Sequence, residues 1–273
     1  MNAQLLILDF GSQFTQLIAR GVRELGVYCE IVPGTAKAEV LFSKKPKAFI
    51  LSGGPSSVNS EHGLFCDPEV FKSGLPVFGI CYGMQIVAKC LGGVVEGWGK
   101  DAESGDDRGA VVQTKGADIR EFGPAYVQFT NPSGPFKAIV PGSELRVWMS
   151  HGDKVTKVPS GFEISGTSEG SPIAAFANES KRIYGVQFHP EVHHTTMGKE
   201  ILRAFLFDIC KLDKDWDLGN FAEQTIAGIR ERVPNGTVIC GLSGGVDSTV
   251  AAVLVQRAIG ERLHCIFVDN GLL

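Results

Sequence analysis

Short apolar runs recur along the first part of the chain. Each is closed by a polar or glycine-bearing turn, and residues at helical spacing fill several of the intervals between them. Leu5–Leu8 is the first run, and it ends in the polar loop Asp9-Phe10-Gly11-Ser12-Gln13. Phe14–Glu24 then places Phe14, Leu17, Ile18 and Val22 on one helical face, with Leu25 just beyond. Gly21 inside that stretch costs roughly 1 kcal/mol relative to alanine. Val27–Val32 predicts a second strand, stopped by Pro33-Gly34, and Ala48–Leu51 a third, followed at once by Ser52-Gly53-Gly54-Pro55-Ser56. Leu75–Phe78 predicts a buried strand, and Gly79-Ile80-Cys81-Tyr82-Gly83 turns it into a helix over Met84–Leu91. This rhythm of strands and helices predicts an α/β fold with an open, mainly parallel sheet flanked by helices. In such sheets sites form beyond the carboxyl ends of the strands. The loops at Asp9, Gly53 and Cys81 are therefore expected on one edge.

The rhythm breaks between Lys100 and Ile119, where Asp101, Glu103, Asp106, Asp107, Arg108, Lys115 and Asp118 replace large apolar residues; this reads as an exposed loop. Short strands follow at Tyr126–Phe129, Leu145–Met149, Phe162–Ser165, Ile173–Ala177 and Ile183–Phe188, punctuated by Gly, Pro, Asn and Ser. Thr196–Cys210 is helical, with Ile201, Leu202, Phe205, Leu206 and Ile209 on the buried side. The charged stretch Leu212–Asp217 marks a boundary. Beyond it come a helix at Phe221–Val233, a strand at Thr237–Cys240, a glycine loop at Ser243–Ser248, a helix at Thr249–Ile259 and a strand at Leu263–Val268. The expected division is a first domain over 1–210, a linker over 211–220 and the opening part of a second α/β domain over 221–273. One strand–helix–strand unit cannot cover both faces of a parallel sheet. The second domain is therefore expected to be incomplete, as a fragment or as a truncated product.

Composition narrows the classes. Of 273 residues 44% are hydrophobic, enough for a sizeable core, and a net charge of -4 gives no global nucleic-acid footprint. The 7 cysteines include no C-x-x-C pair, so neither a disulfide framework nor a zinc ribbon is suggested. Leu5–Leu8 is interrupted by Asp9 and lacks a basic leader, so it reads as a strand and not a signal peptide. No apolar run approaches the ~20 residues that span a bilayer. The expectation is a soluble, cytoplasmic protein with no membrane or nucleic-acid partner.

The candidate chemistry centres on Cys81. A cysteine between Gly79 and Gly83 at a strand-to-helix junction has the form of a nucleophile elbow, although the serine version is the usual one. The turn would set the sulfur near a helix N-terminus, where the dipole favours thiolate. A buried structural cysteine is the alternative. Phe188-His189-Pro190-Glu191 closes a strand, and Pro190 keeps His189 away from helical angles. In an extended segment His189 and Glu191 point to the same side, so the carboxylate can orient the imidazole. A surface histidine and a solvated glutamate are the alternative for that tetrapeptide. Gly53-Gly54 offers backbone N–H groups for an oxyanion hole, with the N–H of Tyr82, or is a plain turn. Ser243–Ser248 lies between a strand and a helix and could hold phosphate, or be a short glycine turn; it lacks the Walker lysine. The adjacent His193-His194 pair has no metal-ligand spacing.

Gly79–Gln85, Ser52–Pro55 and Phe188–Glu191 together resemble the triad class of glutamine amidotransferases. Asp9–Gln13, Met149–Asp153 and Phe188–Thr195 are similar to those of the glutamine-hydrolysing GMP synthetases, and Ser243–Thr249 resembles the pyrophosphate loop of their ATP-pyrophosphatase domain. Val268–Leu273 looks like the second strand end of that domain. The resemblance implies a flavodoxin-like first domain in which Cys81 is the nucleophile, His189 the general base and Glu191 its orienter. It implies an oxyanion hole at Gly54 and Tyr82, and L-glutamine held by Gly54, Gln85, Ser150, His151 and Asp153. It further implies ATP bound by Ser243, Gly244, Gly245, Val246, Asp247, Ser248 and Val268, with Mg2+ at Asp247. Ammonia would aminate xanthosine monophosphate (XMP) to GMP, in a family whose full-length members are homodimers. With the synthetase part incomplete, the chain alone is expected to act as a glutaminase. The rivals are the glutaminase module of another ATP-dependent synthetase and a non-catalytic glutamine-binding regulator. The pyrophosphate loop argues against the first, and the filled triad positions against the second.

Overall fold

The computed structural model describes residues 3–97 and 121–268. The chain divides into two compact units, Met1–Asp215 and Trp216–Leu273. The segment 100–119, read above as an exposed loop, and the chain after Val268 lie outside the described residues.

The first unit begins with β1 (Leu5–Asp9), α1 (Thr15–Glu24), β2 (Cys29–Pro33), α2 (Ala38–Ser43), β3 (Ala48–Leu51), α3 (Glu69–Lys72), β4 (Val77–Ile80), α4 (Tyr82–Cys90) and β5 (Val94–Glu96). It continues with β6 (Glu121–Phe129), β7 (Glu144–His151), β8 (Lys154–Lys157), β9 (Glu163–Thr167), β10 (Ala175–Asn178), β11 (Ile183–Val186) and α5 (Gly198–Arg203). A 9-stranded sheet runs in the order β2-β1-β3-β4-β11-β10-β9-β6-β7. From β2 to β11 neighbouring strands are parallel; from β11 to β7 they are antiparallel.

Leu5–Leu8 of β1 and the whole of β3, β4 and β11 are buried because both faces of the sheet are covered there. Leu5 and Ile7 pack in one core with Ile18 and Val22 of α1 and with Ile201 and Leu202 of α5. Leu6 and Leu8, which alternate with them, pack in a second core with Leu41 of α2, Val70 of α3 and Ile86 and Val87 of α4. Each fully buried leucine contributes about 1.5–3 kcal/mol, so the two cores fix the register of β1 against β2 and β3.

The elements differ from the expected bounds in instructive ways. The second strand starts at Cys29, not Val27, because the Val27 N–H bonds back to Val22 O of α1 and not to a neighbouring strand. The helix expected over 196–210 begins at Gly198 and changes to a π-helical turn over Ala204–Ile209. The smaller angular step of a π turn keeps the consecutive residues Ala204, Phe205 and Leu206 on the buried side. The small antiparallel pair of β5 and β8 was not legible, since Val95 and Val155 are its only buried residues. The segment read as a linker over 211–220 is divided between the units. Leu212 is buried in the first unit, Asp213 exchanges hydrogen bonds with Gln4, and Asp215 accepts one from the Tyr28 N–H.

The second unit consists of α6 (Leu218–Arg232), β12 (Val238–Leu242), α7 (Val246–Ile259) and β13 (Leu263–Phe267). Its two strands pair in parallel, with Cys240 beside Cys265 and Leu242 beside Phe267. Arg230 ties α6 to α7 by donating to the carbonyls of Arg257 and Ala258.

Candidate active site

The elbow forms where β4 meets α4. Cys81 has φ 52° and ψ -108°, a conformation that costs a non-glycine residue about 1–3 kcal/mol. Its neighbours must be glycines for lack of space. A Cβ on Gly79 would lie 2.6 Å from the Gly83 carbonyl oxygen, and one on Gly83 only 2.3 Å from that of Leu51. The strained turn is anchored by the Cys81 N–H, which donates to the Val186 carbonyl at 2.7 Å. Cys81 is 4% exposed and sits at the N-terminus of α4. As a thiol it donates to the Ser150 carbonyl at 3.6 Å.

His189 follows the adjacent strand β11. The strand ends at Val186 and residues 190–191 form a turn, so the pair meets across a bend and not along an extended segment. Glu191 Oε1 still reaches His189 Nδ1, at 2.7 Å. The imidazole is fixed from behind: the residue's backbone N–H donates to Trp148 O, and its carbonyl accepts from Thr195 Oγ1 at 2.6 Å. Phe14 packs edge-on against the ring at 4.9 Å. Burial disfavours the charged imidazole, but the Glu191 carboxylate and hydrogen bonds to Cys81 and Glu191 outweigh it and push His189 up to about 10.

A cleft of about 470 Å³ opens above these groups, and Gly54, Cys81, Tyr82, Gln85, His151 and His189 line it, as do Ser150 and Asp153. The structure therefore brings the expected triad, oxyanion and glutamine-binding positions together, with Glu191 behind His189. Gly54 is wedged between Phe10 and Tyr82: an added Cβ would lie 2.7 Å from Phe10 O and 3.2 Å from Tyr82 Cδ1. The Tyr82 side chain points away, with its hydroxyl bonded to the backbone of Leu64, so only its backbone N–H is available to substrate. Buried Ser52 accepts from the Phe10 N–H and donates to Gly53 O, locking the loops after β1 and β3 together.

The segment 150–153 is clamped from several directions. Gln85 Nε2 donates to Asp153 O at 2.9 Å, and the Asp153 carboxylate accepts from Ser57 Oγ. His151 lines the cleft, yet both its ring nitrogens face protein oxygens, Asp153 O at 3.0 Å and Glu121 Oε2 at 3.2 Å. The Glu121 carboxylate also accepts from Ser168 Oγ and the Gly170 N–H. Burial raises Glu121, but these hydrogen bonds overcome it and hold the carboxyl below its usual range.

Sequence reasoning passed over Ser57, Glu121 and Gln187. Gln187 carried a signal: it is a polar residue between the apolar run of β11 and Phe188, fully buried, and a buried amide must find partners. Glu121 carried none, because its partners Ser168 and Gly170 come from a loop more than 40 residues away.

In the second unit, Ser243–Gly245 links β12 to α7. Gly244 has φ +79°, Ser243 Oγ lies 3.1 Å from Ser248 Oγ, and the Gly245 N–H donates to Ser243 Oγ. Val246, Asp247 and Ser248 form the first turn of α7, and Val268 follows β13 at the same edge of the sheet. Among the described residues no group of three or more His, Cys, Asp or Glu could hold a metal ion, and no helix is long and apolar enough to cross a membrane.

Residues 6–209 match the family described as glutamine amidotransferase class-I, and residues 221–269 that described as NAD synthase. A GMP synthase (glutamine-hydrolyzing) from Syntrophomonas wolfei is 47% identical over 274 residues, covering 100% of this chain and 50% of that protein. One from Brachyspira hyodysenteriae is 49% identical over 270 residues, covering 99% of this chain and 48% of the relative. The chain thus spans about half the length of the curated relatives it matches. Among solved structures, a Thermoplasma acidophilum protein assigned as one of the subunits of a GMP synthase superposes with a TM-score of 0.61 at 28% identity, covering 77% of this chain and 95% of that one.

Proposed function

The chain belongs to the class-I glutamine amidotransferases, and from that premise we propose that its first unit hydrolyses glutamine at Cys81 and that the ammonia serves the ATP-dependent amination of XMP to GMP. The observation that carries the first half is His189, hydrogen-bonded to Glu191 through Nδ1 at 2.7 Å and lining one cleft with Cys81. Because Glu191 occupies Nδ1, the second ring nitrogen is the one left for the thiol. His189 holds the proton taken from Cys81 as an imidazolium, and the thiolate attacks the side-chain carbonyl carbon of glutamine. The oxyanion is received by the N–H groups of Gly54 and Tyr82, with Gln85, Ser150, His151 and Asp153 placing the substrate. The imidazolium returns its proton to the leaving nitrogen, and ammonia departs. His189 then deprotonates a water that cleaves the thioester to glutamate and free Cys81. Purified chain incubated with L-glutamine is expected to release glutamate, and Cys81→Ala to release none. Equal release by both would refute this assignment.

For the second half, support comes from the full-length relatives' names and from the loop at the start of α7. The N–H groups of a long helix's first turn, the Ser243 and Ser248 hydroxyls and the left-handed Gly244 make a donor set suited to phosphate. Ser243, Gly244, Gly245, Val246, Asp247 and Ser248 would hold the ATP phosphates, and Val268 would lie beside them. Asp247 is a single carboxylate in that turn, and one carboxylate plus substrate phosphates is an ordinary Mg2+ environment. Bound there, the ion would neutralise charge on the departing pyrophosphate. Titration with magnesium pyrophosphate is expected to show binding that Ser248→Ala weakens. All 7 cysteines are unpaired thiols, which suits the reducing cytoplasm assigned by this reading.

A further inference from the structure

Gln187 is fully buried at the end of β11, two residues before His189, and its Nε2 lies 3.7 Å from Cys81 Sγ. Which end of its amide faces the sulfur is settled by the neighbouring groups. The Asp153 carbonyl can only accept, so the atom of Gln85 that meets it at 2.9 Å must be the nitrogen. That same nitrogen lies 3.4 Å from Gln187, and a nitrogen donor requires the Gln187 oxygen on that side. The Gln187 NH2 is thereby turned to Cys81. The chain Asp153 O, Gln85, Gln187, Cys81 Sγ is ordered in a single sense.

We propose that Gln187 is a catalytic residue of the glutaminase site, a fixed donor that binds the Cys81 sulfur in its thiolate form. The three polar contacts around the sulfur differ in what they favour. The Ser150 carbonyl accepts from the thiol and offers nothing to the anion. His189 receives the proton and faces the anion as an imidazolium, with the Glu191 carboxylate behind it. Gln187 alone stabilises the thiolate without exchanging a proton and without facing solvent, so its donor is in place before and after each transfer. Its oxygen is held through Gln85 by the segment that carries Ser150 and Asp153, so the donor is braced by the wall of the substrate cleft.

This inference rests on the assignment of Cys81 as the nucleophile, and its test reads the thiol directly. Alkylation of Cys81 by iodoacetamide is followed from pH 5 to 10 by peptide mapping in the intact chain, in Gln187→Met and in Gln187→Glu. Gln187→Met keeps the volume without the donor, and Gln187→Glu keeps the shape but turns an oxygen to the sulfur. Thermal melting reports the fold, and the volume-matched methionine variant serves where the carboxylate is not tolerated. The expected result is alkylation at neutral pH about tenfold slower in Gln187→Met, with the rate profile displaced to higher pH and a larger displacement in Gln187→Glu. Glutamine kcat should fall by a similar factor, with KM within about threefold. A folded Gln187→Met whose profile coincides with the parent, or whose rate falls equally at every pH, would overturn the proposal. If the parent chain releases no glutamate from glutamine, the glutaminase reading fails separately while the alkylation profiles still decide the role of Gln187.

Discussion

Glu191 Oε1 accepts a hydrogen bond from His189 Nδ1 at 2.7 Å, with the carboxylate 0% and the imidazole 3% exposed. A charge placed there acts on the ring without dilution by water, so the two residues should contribute unequally to catalysis. Glu191→Gln is expected to lower glutamine turnover roughly a hundredfold less than His189→Ala, because the imidazole moves the proton and the carboxylate acts only through the imidazole. Equal losses in steady-state kinetics would contradict that order.

The same pair sets a pH dependence. His189 is raised to about 10, so the stabilisation from its protonated form is complete below the ordinary imidazole value of about 6.5 and is lost as pH rises through about 10. Glu191→Gln removes the largest raising influence and leaves burial, which lowers, opposed only by Cys81. The alkaline limb of the glutaminase profile, and the alkaline loss of thermal stability, should both move toward neutral pH. Profiles that superpose with the parent would show that Glu191 does not set the titration of His189.

Cys81 should be the cysteine taken by a glutamine-like electrophile such as a chloroketone. Burial pushes Cys29 up to about 11 and raises Cys66, Cys90 and Cys210 as well. Cys265 is exposed and open to any alkylating agent, but it does not line the cleft that holds Cys81. Peptide mapping after partial labelling should find the label at Cys81, with protection by glutamine. Equal labelling of Cys29 or Cys66 would contradict the site.

Gly83→Ala should damage the fold before it damages the chemistry. The new Cβ would lie 2.3 Å from Leu51 O and 2.7 Å from Leu51 Cβ, so β3 or α4 must move. Overpacking of this kind costs about 1–3 kcal/mol, or roughly 2–12 °C in the melting temperature of a unit this size. Differential scanning calorimetry of the first unit's transition is the check.

Glu121→Gln tests the clamp behind the cleft. The Glu121 carboxyl is held below its usual range, so the stability it contributes is present above about 4.3 and is lost as pH falls below that value. The variant should show a shallower acid limb in melting temperature, and a glutamine KM raised about tenfold through the loosened His151. An unchanged KM would show that Ser150–Asp153 holds its shape without the carboxylate.

Much of this was readable from local pattern. The parallel strands announce themselves because two covered faces demand unbroken apolar runs such as Leu5–Leu8 and Ala48–Leu51. The elbow is legible because Gly79 and Gly83 flank Cys81 at a spacing that only a close backbone approach requires. What escaped the sequence depends on partners far along the chain. The clamp on His151 needs Glu121, and the donor to Cys81 needs Gln187 turned by Gln85. The π turn at Ala204–Ile209 leaves no local mark either, since its residues fit an ordinary helix until the packing of Phe205 against Phe78 is known.

β4 and β11 are neighbours in the sheet, with Gly79 beside Gly185 and the Cys81 N–H bonded to Val186, although about a hundred residues separate them in the chain. On the ribosome this spacing becomes a delay. At ~5–20 residues per second, His189 is synthesised roughly 5–20 s after Cys81, and until β11 docks the sulfur has no proton acceptor and its strained turn has no anchor. A nascent chain therefore cannot release ammonia early, whatever the glutamine concentration around it. Arresting translation at successive lengths and assaying the ribosome-bound chains for glutamate release should place the onset of activity after Glu191 has emerged. Activity in chains arrested before Ile183 would show that the elbow forms without its neighbouring strand.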